Sequence, residues 1–194
     1  MPMRKIILAS SSKHRKKLLN QLKIKFTTKS PDIDESRRKN ENVDEFVRRL
    51  SYEKALKIAK NERDSIVIGS DEIAVLGNKV YGKPLTKSVA IQQLQAISNK
   101  NIVFKTGLCV IDTSAHKKYL SLTNYNVKMR KLSIDEIHSY INKEDILNCA
   151  ASIKIEGLAI SLIEKTSGTD PTSIIGLPLI KLRNYLNRLG VNIP

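Results

Sequence analysis

The hydrophobic and polar positions along this chain follow two spacings, which alternate from one end of the sequence to the other. Apolar residues that recur every three to four positions predict helices over residues 13–22, 43–60, 86–97, 133–141 and 179–189. Short runs rich in Ile, Leu and Val predict strands over residues 5–9, 25–28, 65–68, 73–76, 79–81, 102–111, 119–132 and 158–164. This alternation, with hairpins among the strands, indicates an α/β or α+β fold with a mixed sheet.

Local signals support several of these boundaries. Thr86 is a suitable cap for the third helix, and Ser133 with Glu136 has the spacing of a capping box at the start of the fourth. The dipeptide Gly77-Asn78 predicts the turn of a hairpin. Residues 30–42 are polar and charged, which predicts a loop.

The composition is that of an ordinary globular protein. The chain has 194 residues, 41% of them hydrophobic, which suits one domain or one domain with a small lobe. Its two cysteines, Cys109 and Cys149, are too few for a disulfide framework. The apolar run at residues 6–9 is too short for the core of a signal peptide or for a membrane span. We therefore expect a cytoplasmic protein with reduced thiols and no membrane partner.

The net charge of +15 has two explanations. One is a polyanionic partner, either nucleic acid or phosphorylated small molecules. The other is a general bias toward lysine, and the even spread of the basic residues along the chain favours it. Aromatic residues rarely stand beside the basic ones, so the sequence allows nucleic-acid binding but does not favour it.

Three segments place chemically useful side chains near predicted element boundaries. Ser10 and Arg15, around the start of the first helix, can bind phosphate, although a plain helix cap explains the serines equally well. Asp71 follows Gly69-Ser70 at the predicted end of a strand, where it suits a metal ligand, a general base or an Asx-turn. Lys83 lies between Gly82 and Pro84. These neighbours can fix the backbone so that the lysine side chain points in a defined direction, or the lysine is simply exposed in a turn.

Two further segments carry weaker signals. Residues 32–35 are rich in carboxylates, and Glu53-Lys54 follows on the second helix. The acids can provide oxygen ligands for a hard cation, or residues 32–35 form a solvated turn. Residues 148–157 contain two small residues that allow close approach of another backbone. Cys149 in that segment has no CxxC partner, which is typical of a buried structural thiol.

In their order along the chain, these segments resemble the Maf family of nucleoside triphosphate pyrophosphatases nearly from end to end. The matching motifs are Leu8-Ala9-Ser10-Ser11-Ser12 with Arg15, Ile33-Asp34-Glu35, Glu53-Lys54-Ala55, Gly69-Ser70-Asp71, Gly82-Lys83-Pro84, Thr106-Gly107 and Gly176-Leu177-Pro178-Leu179. Residues 148–157 end in Glu-Gly where most members of the family have Gln-Gly, and they resemble the subfamily that acts on 7-methyl-GTP.

The resemblance implies a fold shared with inosine triphosphatases, in which two lobes surround a central cleft, as a single domain over residues 1–194. It implies a divalent metal cation, Mg²⁺ or Mn²⁺, and often a homodimer. The implied reaction is the hydrolysis of 7-methyl-GTP to 7-methyl-GMP and pyrophosphate, which removes a modified nucleotide from the pool.

The family's functional positions can be carried over residue by residue. Asp71 falls on the catalytic position, described as a proton acceptor, and it is expected to hold the metal together with Glu35. The phosphate-binding positions are Ser10, Arg15, Lys54 and Lys83. The positions linked to substrate choice are His14, Glu72 and Glu156. The chain departs from the family pattern at Lys13, His14 and Ala151, and these departures bear on the choice of base more than on the reaction.

Two other functions stay open at this point. The first is a pyrophosphatase of the same fold for dTTP and UTP, or for several modified nucleotides, which Glu156 and Asn148-Cys149 disfavour. The second is a non-catalytic regulator of cell division that binds nucleic acid, for which the net charge is the one direct argument.

Overall fold

The computed structural model describes residues 4–194, in which five α-helices and seven strands form. The helices are α1 (Lys13–Asn20), α2 (Val43–Ala59), α3 (Lys87–Ile97), α4 (Ile134–Lys143) and α5 (Leu179–Arg188). The strands are β1 (Lys5–Ala9), β2 (Thr27–Lys29), β3 (Ser65–Leu76), β4 (Lys79–Tyr81), β5 (Asn101–Asp112), β6 (Lys117–Met129) and β7 (Ile163–Gly168). Short 3₁₀ helices span Ala150–Ser152, Leu158–Leu162 and Ser173–Ile175.

The strands form one mixed sheet in the order β2-β1-β3-β5-β6-β7, with β4 paired to β3. Strand β1 is parallel to both β2 and β3, and Leu8 is aligned with Thr28 on one side and Ile68 on the other. Strand β3 is antiparallel to β4, and β6 is antiparallel to β7. The predicted fold class, an α/β or α+β fold with a mixed sheet, is confirmed.

The predicted helix starts are also confirmed. The Thr86 side chain accepts a hydrogen bond from the backbone of the third helical residue of α3. Ser133 and Glu136 form a reciprocal capping box at α4, which satisfies two backbone donors that a helix start leaves free. Helix α2 has a capping box of its own, formed by Asn42 and Glu45.

The described chain divides into two compact units. The first contains residues 4–71, 106–123 and 176–194, and the second contains residues 72–105 and 124–175. Buried residues of the first unit include Ile7, Ala55 and Val67, whereas Phe104 and Tyr140 are among those of the second. The single domain predicted over residues 1–194 stays a prediction, and its first three residues lie outside the described chain. No helix in residues 4–194 has the length and apolar character needed to cross a membrane.

Several sequence-based boundaries differ from the structure, among them two that concern helices. Helix α1 ends at Asn20 rather than at residue 22, and Lys23, just beyond it, takes the left-handed conformation that no helix can continue through. The strand predicted over residues 158–164 is a 3₁₀ helix up to Leu162. Its buried residues Ala159 and Leu162 are three positions apart, which matches the 3₁₀ period and not the alternation of a strand.

Candidate functional site

Three charged side chains from separate parts of the first unit meet at one point. The ammonium of Lys54 on α2 lies 2.5 Å from Oδ1 of Asp71 on β3 and 2.8 Å from Oε1 of Glu35 in the loop before α2. Lys54 and Asp71 are buried, whereas the Glu35 side chain keeps 58% of its surface exposed. The ammonium of Lys54 therefore connects the buried carboxylate of Asp71 with the solvent-exposed carboxylate of Glu35.

Asp71 does not stand where the sequence predicts. The expectation that β3 ends at residue 68 and opens into a turn is wrong, because β3 continues without a break to Leu76. Gly69 serves close packing instead of a turn: a Cβ there would lie 2.7 Å from the Ala55 nitrogen and nearer still to the Ser51 carbonyl oxygen. The absence of a side chain lets α2 approach β3 closely enough for Lys54 to reach Asp71.

Gly107 on β5 has the same function against the same helix. A Cβ at Gly107 would lie 2.6 Å from the carbonyl oxygen of Val47 and 2.9 Å from Oγ of Ser51. Both glycines belong to motifs of the sequence resemblance. Their physical role is to set the distance between α2 and the strands beneath it.

The loop that carries Glu35 is fastened to α2 by Arg49, which sequence reasoning missed. The guanidinium donates to both carboxylate oxygens of Glu41, at 2.6 and 2.9 Å, and to the carbonyl of Ser36 at 2.9 Å. It also donates to Glu53, one helical turn along α2, at 2.8 Å. The hydrogen bonds that Glu41 accepts, chiefly those from Arg49 and also one from the Arg38 backbone nitrogen, lower its pKa to about 2. The one signal in the sequence is the i,i+4 spacing of Arg49 and Glu53.

The serines after β1 confirm the helix-cap interpretation. Oγ of Ser12 accepts from the Arg15 nitrogen at 3.3 Å and caps α1, while Oγ of buried Ser10 accepts from the Ser12 nitrogen at 3.1 Å. The Arg15 side chain donates from Nε to the Gly176 carbonyl at 2.9 Å, and Oγ of Ser70 donates to the same carbonyl at 2.8 Å. Arg15 and Ser70, the residue before Asp71, therefore share the Gly176 carbonyl as an acceptor. The role of Arg15 in phosphate binding stays a prediction.

The remaining predicted site residues are distributed over both units. His14 lies in the first turn of α1, in the first unit. Lys83 is exposed in the turn after β4, Glu72 is half-buried on β3, and Glu156 is exposed before the Leu158–Leu162 3₁₀ helix, all in the second unit.

The two acids of the second unit act on one thiol. Burial is the main cause that raises the pKa of Cys149 to about 12, and the negative charges of Glu156 and Glu72 contribute in the same direction. Cys149 is partly buried and free of any disulfide. Two of the three predicted specificity residues, Glu72 and Glu156, therefore share an electrostatic environment around Cys149.

The carboxylates of the first unit fit a cation that arrives with a phosphorylated ligand. In the described part of the chain no group of three His, Cys, Asp or Glu side chains could hold a metal ion on its own. The position of Lys54 shows, however, that Asp71 and Glu35 are close enough to share one cation. Mg²⁺ is commonly held by one or two carboxylates together with phosphate oxygens of a substrate.

Comparison with known proteins identifies the family. The family model described as Maf-like protein matches residues 5–189, nearly the whole chain. The chain belongs to the Maf family.

Similar proteins share the sequence over nearly its whole length. A 7-methyl-GTP pyrophosphatase of Alcanivorax borkumensis is 44% identical over 189 residues, which are 97% of this chain and 96% of that protein. A 7-methyl-GTP pyrophosphatase of Pseudomonas aeruginosa is also 44% identical, over 97% of this chain and 98% of its own. Among solved structures, the Staphylococcus aureus Ham1 protein is distantly similar, with a TM-score of 0.46 and 13% identity over 65% of this chain and 72% of that one.

Proposed function

We propose that this protein hydrolyses 7-methyl-GTP to 7-methyl-GMP and pyrophosphate. The observation that carries the proposal is the meeting of Glu35, Lys54 and Asp71 around one shared charge. Support comes from the similar proteins that are named for this activity and that match nearly the whole chain.

The groups proposed to act on the phosphoanhydride lie mostly in the first unit, with Lys83 in the second. A nucleoside triphosphate carries about four negative charges near neutral pH, by the second-pKa behaviour of phosphates. Lys54 offsets part of that charge, and it bonds only Oδ1 of Asp71. Oδ2 of Asp71 is then available to orient a water molecule and to accept its proton as the water attacks the α-phosphorus. Arg15 and Lys83 are proposed to bind the phosphates, with Ser10 as a hydroxyl donor, so that pyrophosphate leaves with its charge neutralised.

A divalent cation, Mg²⁺ or Mn²⁺, is part of the proposal. Asp71 and Glu35 would hold it, and when bound it would neutralise phosphate charge and polarise the attacked group. The exposure of Glu35 allows this carboxylate to turn from Lys54 toward such a cation without unfolding any element.

The second unit is proposed to select the base. The 7-methylguanine ring is cationic, and its Watson–Crick edge presents N–H donors. Carboxylates at Glu156 and Glu72 attract a positive ring, and Glu156 can also accept from these donors. His14 is proposed to stack on the base.

Pyrophosphate release from a panel of nucleotides tests the proposal. The panel contains 7-methyl-GTP, GTP, dTTP and UTP, each with Mg²⁺ or Mn²⁺ and with a chelator. We expect the highest kcat/KM with 7-methyl-GTP and no turnover with the chelator. Asp71→Asn should abolish turnover, whereas the same change at exposed Asp135 should leave it intact. Near-normal turnover by Asp71→Asn would reject the catalytic assignment, and no release from any nucleotide would favour a non-catalytic regulator.

A cytoplasmic location and a homodimer belong to the same proposal. Two free cysteines, Cys109 and Cys149, suit a reducing compartment, where nucleotide pools are found. The dimer rests on the family resemblance, and light scattering on the purified protein tests it.

A further inference from the structure

The turn that carries Lys83 is fastened at both of its ends to one neighbouring segment. The nitrogen of Leu85 donates to the carbonyl of Leu147 at 3.2 Å. At the other end, the nitrogen of Ala151 donates to the carbonyl of Gly82, also at 3.2 Å. The backbone position of Lys83 therefore depends on the segment that leads to Glu156.

Gln93 on α3 makes a further connection between the same two elements. Its Nε2 donates to the carbonyl of Gly82 at 3.1 Å, and its Oε1 accepts from Oγ of Ser152 at 2.7 Å. An amide side chain can make both bonds at once because it contains a donor and an acceptor. A carboxylate could make only the bond to Ser152.

The segment held by Gln93 has a conformation that needs such support. Ala151 and Ser152 have φ values of 52° and 60°, and both residues are fully buried. Two successive non-glycine residues in the left-handed region persist only when surrounding contacts hold them there. Those contacts include the Gln93 bond and a hydrogen bond of 3.1 Å from the Tyr140 hydroxyl to the Ser152 carbonyl.

We propose that Gln93 is a positioning residue that fixes the phosphate-binding lysine and the base-selecting segment in one arrangement. It acts on Lys83 through Gly82, and on Glu156 through Ser152. The inference rests on the proposed function, because it takes Lys83 to bind phosphate and Glu156 to select the base.

The two hydrogen bonds of Gln93 can be removed separately. At pH 8 the Gln93→Glu carboxylate still accepts from Ser152 but repels the Gly82 carbonyl, so KM should rise about tenfold for 7-methyl-GTP and GTP alike. Protonation of Glu at this position restores a donor, so the defect relative to wild type should shrink as the pH falls to the ordinary pKa of a glutamate, about 4.3. Ser152→Ala removes the other bond, and it should change the ratio of kcat/KM between 7-methyl-GTP and GTP by about fivefold.

Three further variants make the test specific. Gln92→Glu places the same charge on the exposed neighbouring position of α3, and it should match wild type at every pH. In a Lys83→Met background, Gln93→Glu should raise KM no further, because its effect passes through Lys83. Gln93→Met keeps the side-chain length but removes both polar atoms, so it should show both defects and serves as the second variant if Gln93→Glu unfolds.

Each result has one meaning. A wild-type KM in Gln93→Glu, a defect that does not change with pH, or a full defect in the Lys83→Met background overturns the inference and leaves the proposed function standing. A wild-type protein that does not hydrolyse 7-methyl-GTP overturns the proposed function, and this inference with it.

Discussion

The close approach of α2 to β3 at Gly69 allows one change to connect packing with activity. In Gly69→Ala the new Cβ would lie 2.7 Å from the nitrogen of Ala55 and 2.8 Å from its Cβ, and nearer still to the carbonyl oxygen of Ser51. Ordinary contact requires about 3.4 Å, and the Ser51 carbonyl oxygen is the nearest opposing atom, so α2 must move outward by about 1 Å. Lys54, next to Ala55, moves with the helix and away from Asp71.

The magnitude follows from overpacking. Inserting a methyl group into a well-packed core costs about 1–3 kcal/mol, and the upper end applies because two of the three opposing atoms are backbone. A loss of about 3 kcal/mol lowers Tm by roughly 6–12 °C in a chain of this length. Displacement of Lys54 by about 1 Å should lower kcat/KM by about ten- to a hundredfold.

The assays are thermal unfolding and pyrophosphate release at a temperature where both proteins remain folded. Gly82→Ala is the matched stability control, because a Cβ there meets nothing within 4 Å and its Tm should stay within about 2 °C of wild type. A Gly69→Ala variant with wild-type Tm would refute the packing argument. A variant that is destabilised but fully active when folded would refute the connection between helix spacing and Lys54.

Three further predictions concern charge. Lys54→Met should lower kcat at least about a hundredfold on every nucleotide while the order of substrate preference stays the same, because the ammonium acts on phosphates; a changed order would contradict this. Glu156→Gln should lower the preference for 7-methyl-GTP over GTP in competition assays, and unchanged ratios would identify Glu156 as a solvated loop acid. Glu41→Gln should destabilise the protein at pH 7 by about 1 kcal/mol in urea unfolding. Because the pKa of Glu41 is lowered to about 2, this wild-type advantage should be complete above about pH 4.5 and disappear as the pH falls toward 2, whereas a constant difference would exclude the ion pair with Arg49 as its source.

The sequence predicts which residues form the site better than it predicts the contacts that position them. Glu35, Lys54 and Asp71 are recognisable because their motifs occur in a fixed order, and the structure brings them within hydrogen-bonding distance. Their positions depend on contacts distant in sequence. The sequence around Gly69 is equally compatible with a turn and with close packing against a helix. The partners of Arg49 in the preceding loop cannot be identified from sequence spacing.

The fold shows the same division between local and distant causes. Helix starts were predictable because a cap such as Thr86 or Ser133 acts within three residues. The segment from Leu158 to Leu162 was not, because its apolar composition suits a strand. The Glu144 carboxylate, distant in sequence, accepts from the nitrogen of Leu158 at 2.7 Å and holds the start of the 3₁₀ helix instead.

The hydrogen bonds from Arg49 to the loop that carries Glu35 affect how a substrate binds. Residues 30–42 contain no helix or strand, yet the guanidinium and the Glu41 carboxylate are almost fully buried, so salt screens this ion pair little. The loop backbone beside Glu35 is therefore held in place by the fold, and an incoming nucleotide does not lose affinity to the conformational entropy of ordering that backbone.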